Sequence, residues 1–346
     1  MKGRVVALDE VNGRMAAALI VDGRLEDFLI DAGPDAPPPP GTIFRAVCDR
    51  PLKGQGAMML RLPQGTAYLR QARGLRPGQP LLVQVTGYAE EGKAVPVTAR
   101  VLFKSRFAIV TPDAPGLNIS RRIRDENERV RLHDIATGVF PDAEAAGLIL
   151  RSSCEGADEA EIASDISTMR DIAAQVMSER LQNSPELLVD GPNAHDLAWR
   201  DWDQPDVLAD GEGAFADHGV HELIDALLSG RHGLPGGAHA YVEPTRALVA
   251  IDVNTGPDTS FSAGLKANIA LAKDLPRILR CSGLGGQITV DFAPLARKDR
   301  KQVEQVLQAA FRRDAIDTAL AGWTPLGHFE LRRKRERLPV QEALKK

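Results

Sequence analysis

Aromatic residues make up only 5% of the 346-residue chain, and cysteine occurs three times, at Cys48, Cys154 and Cys281. No Cys-x-x-Cys pair is present, which argues against a disulfide framework and a local zinc site. The longest apolar stretches are short ones such as Ala247–Val253, so no segment can span a bilayer as a helix. Met1-Lys2-Gly3-Arg4 is not followed by an apolar signal-peptide core, and a cytoplasmic protein is the expectation. A Gly-x-x-x-x-Gly-Lys-Ser/Thr loop is missing, which excludes an ATP-driven motor of that type. The glycines of Gly283-Leu-Gly-Gly286 precede a strand instead of following one, so they form no dinucleotide fingerprint. Large charge of one sign is missing too. With a net charge of −4, any nucleic-acid function must rest on local patches. What is there fits a globular protein: 43% hydrophobic and 26% charged residues in a chain long enough for two to four compact units.

The first segment alternates apolar and polar residues over Arg4–Leu8, Met15–Val21 and Leu25–Ile30. Asn12-Gly13 and Asp22-Gly23 between the runs predict hairpins. The Pro-rich stretch Pro34–Pro40 reads as a linker. Five short strand-like runs follow: Thr42–Cys48, Ala57–Leu62, Thr66–Leu69, Pro80–Thr86 and Ala94–Leu102. They suggest a small barrel of the OB type. Helical spacing begins after about Asp125, and Ile162, Ile166, Met169, Ala173 and Val176 give one apolar face. Before it, Gly147–Leu150 reads as a buried strand. Gly191–Glu212 lacks periodicity and reads as a connector, and Asp217 is placed to cap a helix through Val220, Ile224 and Leu227. The last third alternates strand and helix: Ala247–Val253, then Leu265–Leu279 (kinked or split by Pro276), Gln287–Phe292 and the amphipathic helix Asp299–Phe311.

The sharpest chemical feature is a pair of aspartates near the ends of two apolar strands, in Ala250-Ile-Asp252-Val-Asn254 and Ile288-Thr-Val-Asp291-Phe292. A charge among such residues is costly unless paired or bound to a cation. Two carboxylates at strand ends suit Mg²⁺, and the alternative is a turn cap or an arginine pair. Basic density at Arg297–Arg313 and Arg332–Arg337 suits a phosphodiester backbone or, equally, a solvated face or tail. Asn118-Ile-Ser-Arg121-Arg122 and Arg151-Ser152-Ser153 offer guanidinium forks and hydroxyls for a terminal phosphate. Alternatively, Arg151 pairs with an acid in Glu155–Glu161. His218 and His221 lack a third ligand nearby in sequence, which disfavours zinc.

Taken together, Leu234-Pro-Gly-Gly237, Glu243–Gly256 with Asp252 and Asn254, Leu284–Phe292 with Asp291, Asn118–Ile123, Gly147–Ser152 and the Glu330–Arg335 run resemble the catalytic core of the ribonuclease E/G family. The resemblance implies an α+β, multi-domain fold. A ribonuclease-H-like fold (1–36 and 206–235) would carry an inserted OB-fold RNA-binding domain (37–100) and a sensor for the RNA 5′ end (101–205). A deoxyribonuclease-I-like catalytic unit (236–346) would follow. Carried over by position, Asp252 and Asp291 would bind one catalytic Mg²⁺, and Asn254 would support that site or the scissile phosphate. Arg151 and Ser152, helped by Arg121 and Arg122, would grip a 5′-monophosphate. Tyr68 would stack on a base, with Lys93, Arg333 and Arg335 as further RNA contacts. Met59 stands where the family has a second stacking aromatic. The family's zinc-binding Cys link and small dimerisation domain have no counterpart, so no structural zinc is expected and an oligomer would not form through a zinc link. The implied activity is Mg²⁺-dependent endoribonuclease cleavage of single-stranded RNA, leaving 5′-phosphate and 3′-hydroxyl ends in RNA processing or decay. An RNA-binding or regulatory paralogue with weak or no cleavage is the alternative, and a DNA nuclease is a third reading.

Overall fold

The computed structural model describes residues 3–52, 54–90, 92–141, 146–258, 260 and 262–345. The chain forms two compact units. Unit 1 takes residues up to Ala36, then Asn193–His195 and Pro205 onward; unit 2 takes Pro37–Pro192 and Asp196–Gln204.

Unit 1 contains two sheets. In the first, Arg4–Val11, Arg14–Val21 and Arg24–Ile30 form an antiparallel meander, and Val207–Asp210 adds in parallel beside Arg4–Val11. Asn12, Gly13, Asp22 and Gly23 all have positive φ, as two-residue hairpin turns require. Helix Val220–Leu228 closes over this sheet with Phe28, Phe215, Val220 and Ile224 in the shared core. That helix follows Gly219 and has no side-chain cap. Asp217 instead ends the short helix Ala214–Asp217, which corrects the predicted cap.

The second sheet has six strands in the order Arg231–Gly233, His239–Pro244, Val249–Asn254, Gly286–Asp291, Phe329–Arg333, Thr318–Trp323. Its centre is a parallel pair, Val249–Asn254 with Gly286–Asp291, joined by helix Ala263–Cys281. Pro276 does not split this helix as predicted. The helix runs unbroken through it, with Leu275, Pro276, Ile278 and Leu279 all buried. Burial of that face stabilises the helix enough to offset the lost backbone bond. Helix Arg300–Phe311 follows as predicted, burying Val303, Leu307 and Phe311.

In unit 2, strands Ile43–Leu52, Ala57–Arg61, Thr66–Leu69, Val95–Thr98 and Pro80–Val85 pair in that order. The last pairs back on the first, closing a five-stranded barrel consistent with an OB-fold. Arg45, fully buried, donates from Nε to the Ser184 carbonyl and ion-pairs with Glu179 and Glu186. A second core joins Ala108–Thr111, Gly147–Leu150 and the helices Glu126–Val139 and Glu159–Ser178. The predicted face of the latter is buried at Ile162, Ile166, Ala173 and Val176. The predicted connector after Gly191 instead contains helix Ala194–Asp201 and strand Val207–Asp210. Among the described residues, no helix is long and apolar enough to cross a membrane.

His232, on the edge strand Arg231–Gly233, gives unit 1 a pH dependence. Burial, reinforced by the Arg277 cation, holds its imidazole down to about 4 from an ordinary 6.5. Its folded pKa is depressed, so the unfolded chain takes up the proton first as pH falls below 6.5. Stability then declines until about pH 4 and levels off. We expect wild type to lose roughly 2–3 kcal/mol through this group across that window. His232→Gln should flatten the corresponding part of the melting-temperature profile, and an unchanged slope would refute this account.

Candidate active site

The central parallel pairing sets the geometry. Val249 lies opposite Ile288, Ile251 opposite Val290, and Asp252 opposite Asp291. Strand alternation turns Val249, Ile251 and Val253 inward with Ile288 and Val290, all buried. Asp252 and Asp291 therefore project together from the other face, where both are exposed. Paired residues in neighbouring strands are about 5 Å apart. The sequence argument that these charges sit among apolar neighbours needs correction: the apolar residues line one face and the carboxylates the other. No described Lys or Arg neutralises either carboxylate, so the arginine-pair alternative does not hold here.

Three neighbours complete the row. Asn254 Nδ2 donates to Asp252 Oδ2 at 2.8 Å. Tyr241 lies opposite Asp252 on the adjoining antiparallel strand. His328 comes in from the other side, its Nε2 3.8 Å from Asp291 Oδ1. His328 sits at the end of a tight turn in which Thr324 N–H donates to the His328 carbonyl and Thr324 Oγ1 accepts from His328 N–H. Sequence reasoning missed it; the Val290–Phe329 register, continued by one residue, is the signal that places it opposite Asp291.

Two adjacent unpaired carboxylates steadied by an amide are hard oxygen donors of the kind Mg²⁺ takes while keeping several waters. Among the described residues no three His, Cys, Asp or Glu side chains close into a metal cage. The donor set therefore fits a cation held by two carboxylates and solvent.

The predicted phosphate-gripping residues lie in unit 2. Strand Gly147–Leu150 runs parallel to Gly116–Ile119, with Ile119 opposite Leu150. Ser120 N–H donates to the Leu150 carbonyl, so Ser120-Arg121-Arg122 leaves the sheet beside Arg151 and Ser152. Arg121 and Arg122 are exposed. Arg151 is not: Nη1 donates to the carbonyls of Ser105, Arg106 and Arg200, and Nη2 to Asp201 Oδ1 at 2.7 Å. Its acidic partner is thus Asp201, not an acid in Glu155–Glu161. Asp201 also meets Arg200 at 2.7 Å and Lys104 at 3.4 Å. Burial pushes its carboxyl up, but these three cations outweigh that and hold it well below the usual carboxylate range.

Tyr68 is half-buried on Thr66–Leu69 with Met59 opposite it in register, and Arg70 lies 5.9 Å from its ring. Lys93 ion-pairs with Glu90. The C-terminal basic run is mostly structural. Arg333, only 2% exposed, bonds Asp314 at 2.6 Å and Thr318, which removes it as an RNA contact. Arg337 pairs with Asp27, and the Arg335 guanidinium lies against Gly286, where a Cβ would meet it at 2.3 Å. His221, dismissed as a zinc ligand, packs edge-on against Phe215.

Asp201→Asn would leave Lys104, Arg151 and Arg200 converging without a counter-charge. We expect this variant to melt below wild type in phosphate-free buffer and to gain more melting temperature from added phosphate. Equal phosphate responses would show that these cations do not form an anion seat.

Comparison with known proteins agrees with this geometry. The model of the ribonuclease E/G family matches residues 103–209 and 206–336. Ribonuclease G of Escherichia coli K12 is 27% identical over 311 residues, covering 78% of this chain and 62% of that protein. Ribonuclease E of a Nostoc species is 29% identical over 323 residues, covering 82% of this chain and 46% of its own length. The chain thus spans about half to three-fifths of these relatives. The matched segments include both aspartate strands, Asn254 and the strand that ends at Arg151, and on this basis the chain belongs to the ribonuclease E/G family.

Proposed function

We propose that the chain is a Mg²⁺-dependent endoribonuclease that cuts single-stranded RNA and leaves 5′-phosphate and 3′-hydroxyl ends. The observation that carries this is the Asp252–Asp291 register pair, two uncompensated carboxylates side by side on an exposed strand end. Its named relatives are ribonucleases E and G. A divalent cation held there supplies Lewis-acid polarisation and charge neutralisation at the scissile phosphate. Asp252 and Asp291 present the oxygens that fix it. Asn254 holds Asp252 in one rotamer through Nδ2 and keeps its own carbonyl oxygen available to the site. The flanking buried residues make this a rigid platform, which is what in-line attack on phosphorus demands. The two sheets of unit 1 serve as ribonuclease-H-like and deoxyribonuclease-I-like parts, and the barrel of unit 2 holds single strands through Tyr68 and Lys93. The exposed Lys93–Glu90 pair is weak enough to yield to a phosphate.

Asp252→Asn and Asp291→Asn should each lower cleavage by several orders of magnitude with RNA affinity and melting temperature nearly unchanged. EDTA should stop cleavage without unfolding the chain. Substantial Mg²⁺-supported activity in either variant would refute the assignment.

The same reading gives Arg151 and Ser152, with Arg121 and Arg122, the RNA 5′-monophosphate. Arg151 would then exchange Asp201 for a phosphate, a more highly charged partner with more acceptor oxygens. Short RNAs with a 5′-monophosphate should show higher kcat/KM than their 5′-hydroxyl counterparts, and Arg151→Ala should erase that ratio by slowing the former. Equal rates on both substrates in wild type would mean that no 5′ end is sensed.

A further inference from the structure

Most arginines around the second sheet of unit 1 are committed to carboxylates. Arg277 pairs with Asp274, Arg280 with Glu26 and Asp314, Arg333 with Asp314, and Arg337 with Asp27. Arg300 is half-buried and differs from them. Its guanidinium carbon sits 4.8 Å from the centre of the Trp323 ring, and it makes no ion pair with any described residue. Its Nε is buried with no hydrogen-bond partner, and so is the Trp323 Nε1. Buried orphans of this kind are uncommon in native structures and call for an explanation. Helix stability supplies none, because Arg300 is the first residue of Arg300–Phe311, where a cation faces the positive end of the helix dipole.

The location is informative. Trp323 packs on Phe292 at 5.5 Å and on Phe329 at 5.3 Å between centroids. Those two phenylalanines directly follow Asp291 and His328 in the chain. The aromatic trio is therefore the floor beneath the row that carries the carboxylates. Arg300 Nη2 lies against Gly327, where an added Cβ would come within 3.1 Å of it. Gly327 has φ of +99° and immediately precedes His328. Glycine thus serves both the turn and the approach of the guanidinium. Stacking on an indole covers one face of the planar fork and leaves its in-plane N–H groups directed outward, the arrangement that meets phosphate oxygens two at a time.

We infer that Arg300, steadied over Trp323, is a seat for a backbone phosphate of the RNA flanking the bond at Asp252 and Asp291, the choice of ligand resting on the nuclease function proposed above. The seat lies beside the carboxylates, so it sets where the strand rests, and Arg300 acts as a positioning residue.

The test is fluorescence anisotropy of the full chain with a labelled 5′-hydroxyl decanucleotide RNA in EDTA, across a salt series. Arg300→Met should weaken binding about tenfold. It should also lower the slope of log affinity against log salt by about 0.7, the share of one phosphate contact on a single strand. Arg170→Met removes the same charge from an exposed residue of unit 2 that pairs with Asp171, and should change affinity by less than about twofold. Arg300→Lys keeps the charge and most of the packing, so it should fold even where the Met variant does not, and it should bind more weakly than wild type. Wild-type affinity and slope in either Arg300 variant, or equal losses in the Arg300 and Arg170 variants, would overturn the seat. Binding that depends on Arg300 in a chain that does not cut would refute the nuclease reading and keep the seat. Cleavage with affinity indifferent to Arg300 would do the reverse.

Discussion

The in-register parallel pairing of Val249–Asn254 with Gly286–Asp291 is the constraint on which unit 1 depends. A parallel pair cannot be joined by a tight turn, so the chain needs a crossover, here helix Ala263–Cys281. That helix must bury one long face against the pair, which explains why a proline is tolerated inside it. A slip of one residue would turn Val249, Ile251 and Val253 to solvent and the two aspartates into the core. The cost of burying two carboxylates next to each other therefore protects the register that makes the site. Fold stability and site geometry here are one requirement.

Charge is distributed by the same economy. Both units place arginines inside, at Arg45 and Arg333, and each is met by carboxylates. Removing one partner of such a pair costs far more than the pair contributes, because the other charge stays buried and alone. The near-neutral net charge thus conceals a division between cations that brace the fold and cations left for a polyanion.

Much of this organisation was legible in the residues. The hairpins at Asn12-Gly13 and Asp22-Gly23, the five barrel strands and the amphipathic face of Glu159–Ser178 follow local rules of turn chemistry and periodicity. The aspartate pair was legible as two strand ends, but its side-by-side register was not, since pairing between distant strands leaves no local trace. Helix Ala194–Asp201 was missed because only Ala194, Ala198 and Trp202 mark its buried side, too faint a contrast in a stretch rich in Asp and Pro. Asp201 was missed with it. Arg333 was misjudged because charge density along a strand does not say which residues face inward. His328, a single histidine behind a Pro-Leu-Gly turn, acquires meaning only from the strand it lies beside.

The three cysteines carry a last consequence. Cys48 lies in the barrel core, Cys154 in the second core of unit 2 and Cys281 at the end of the crossover helix, each at most 1% exposed and unbridged. Burial pushes all three thiols up, Cys154 and Cys281 to about 12, so the reactive thiolate is scarce while the fold is closed. Each thiol thereby becomes an internal clock for its own core. Its rate of alkylation reports how often that core opens, so one pulse-labelling experiment read by mass spectrometry would rank the three cores by opening free energy with no engineered probe.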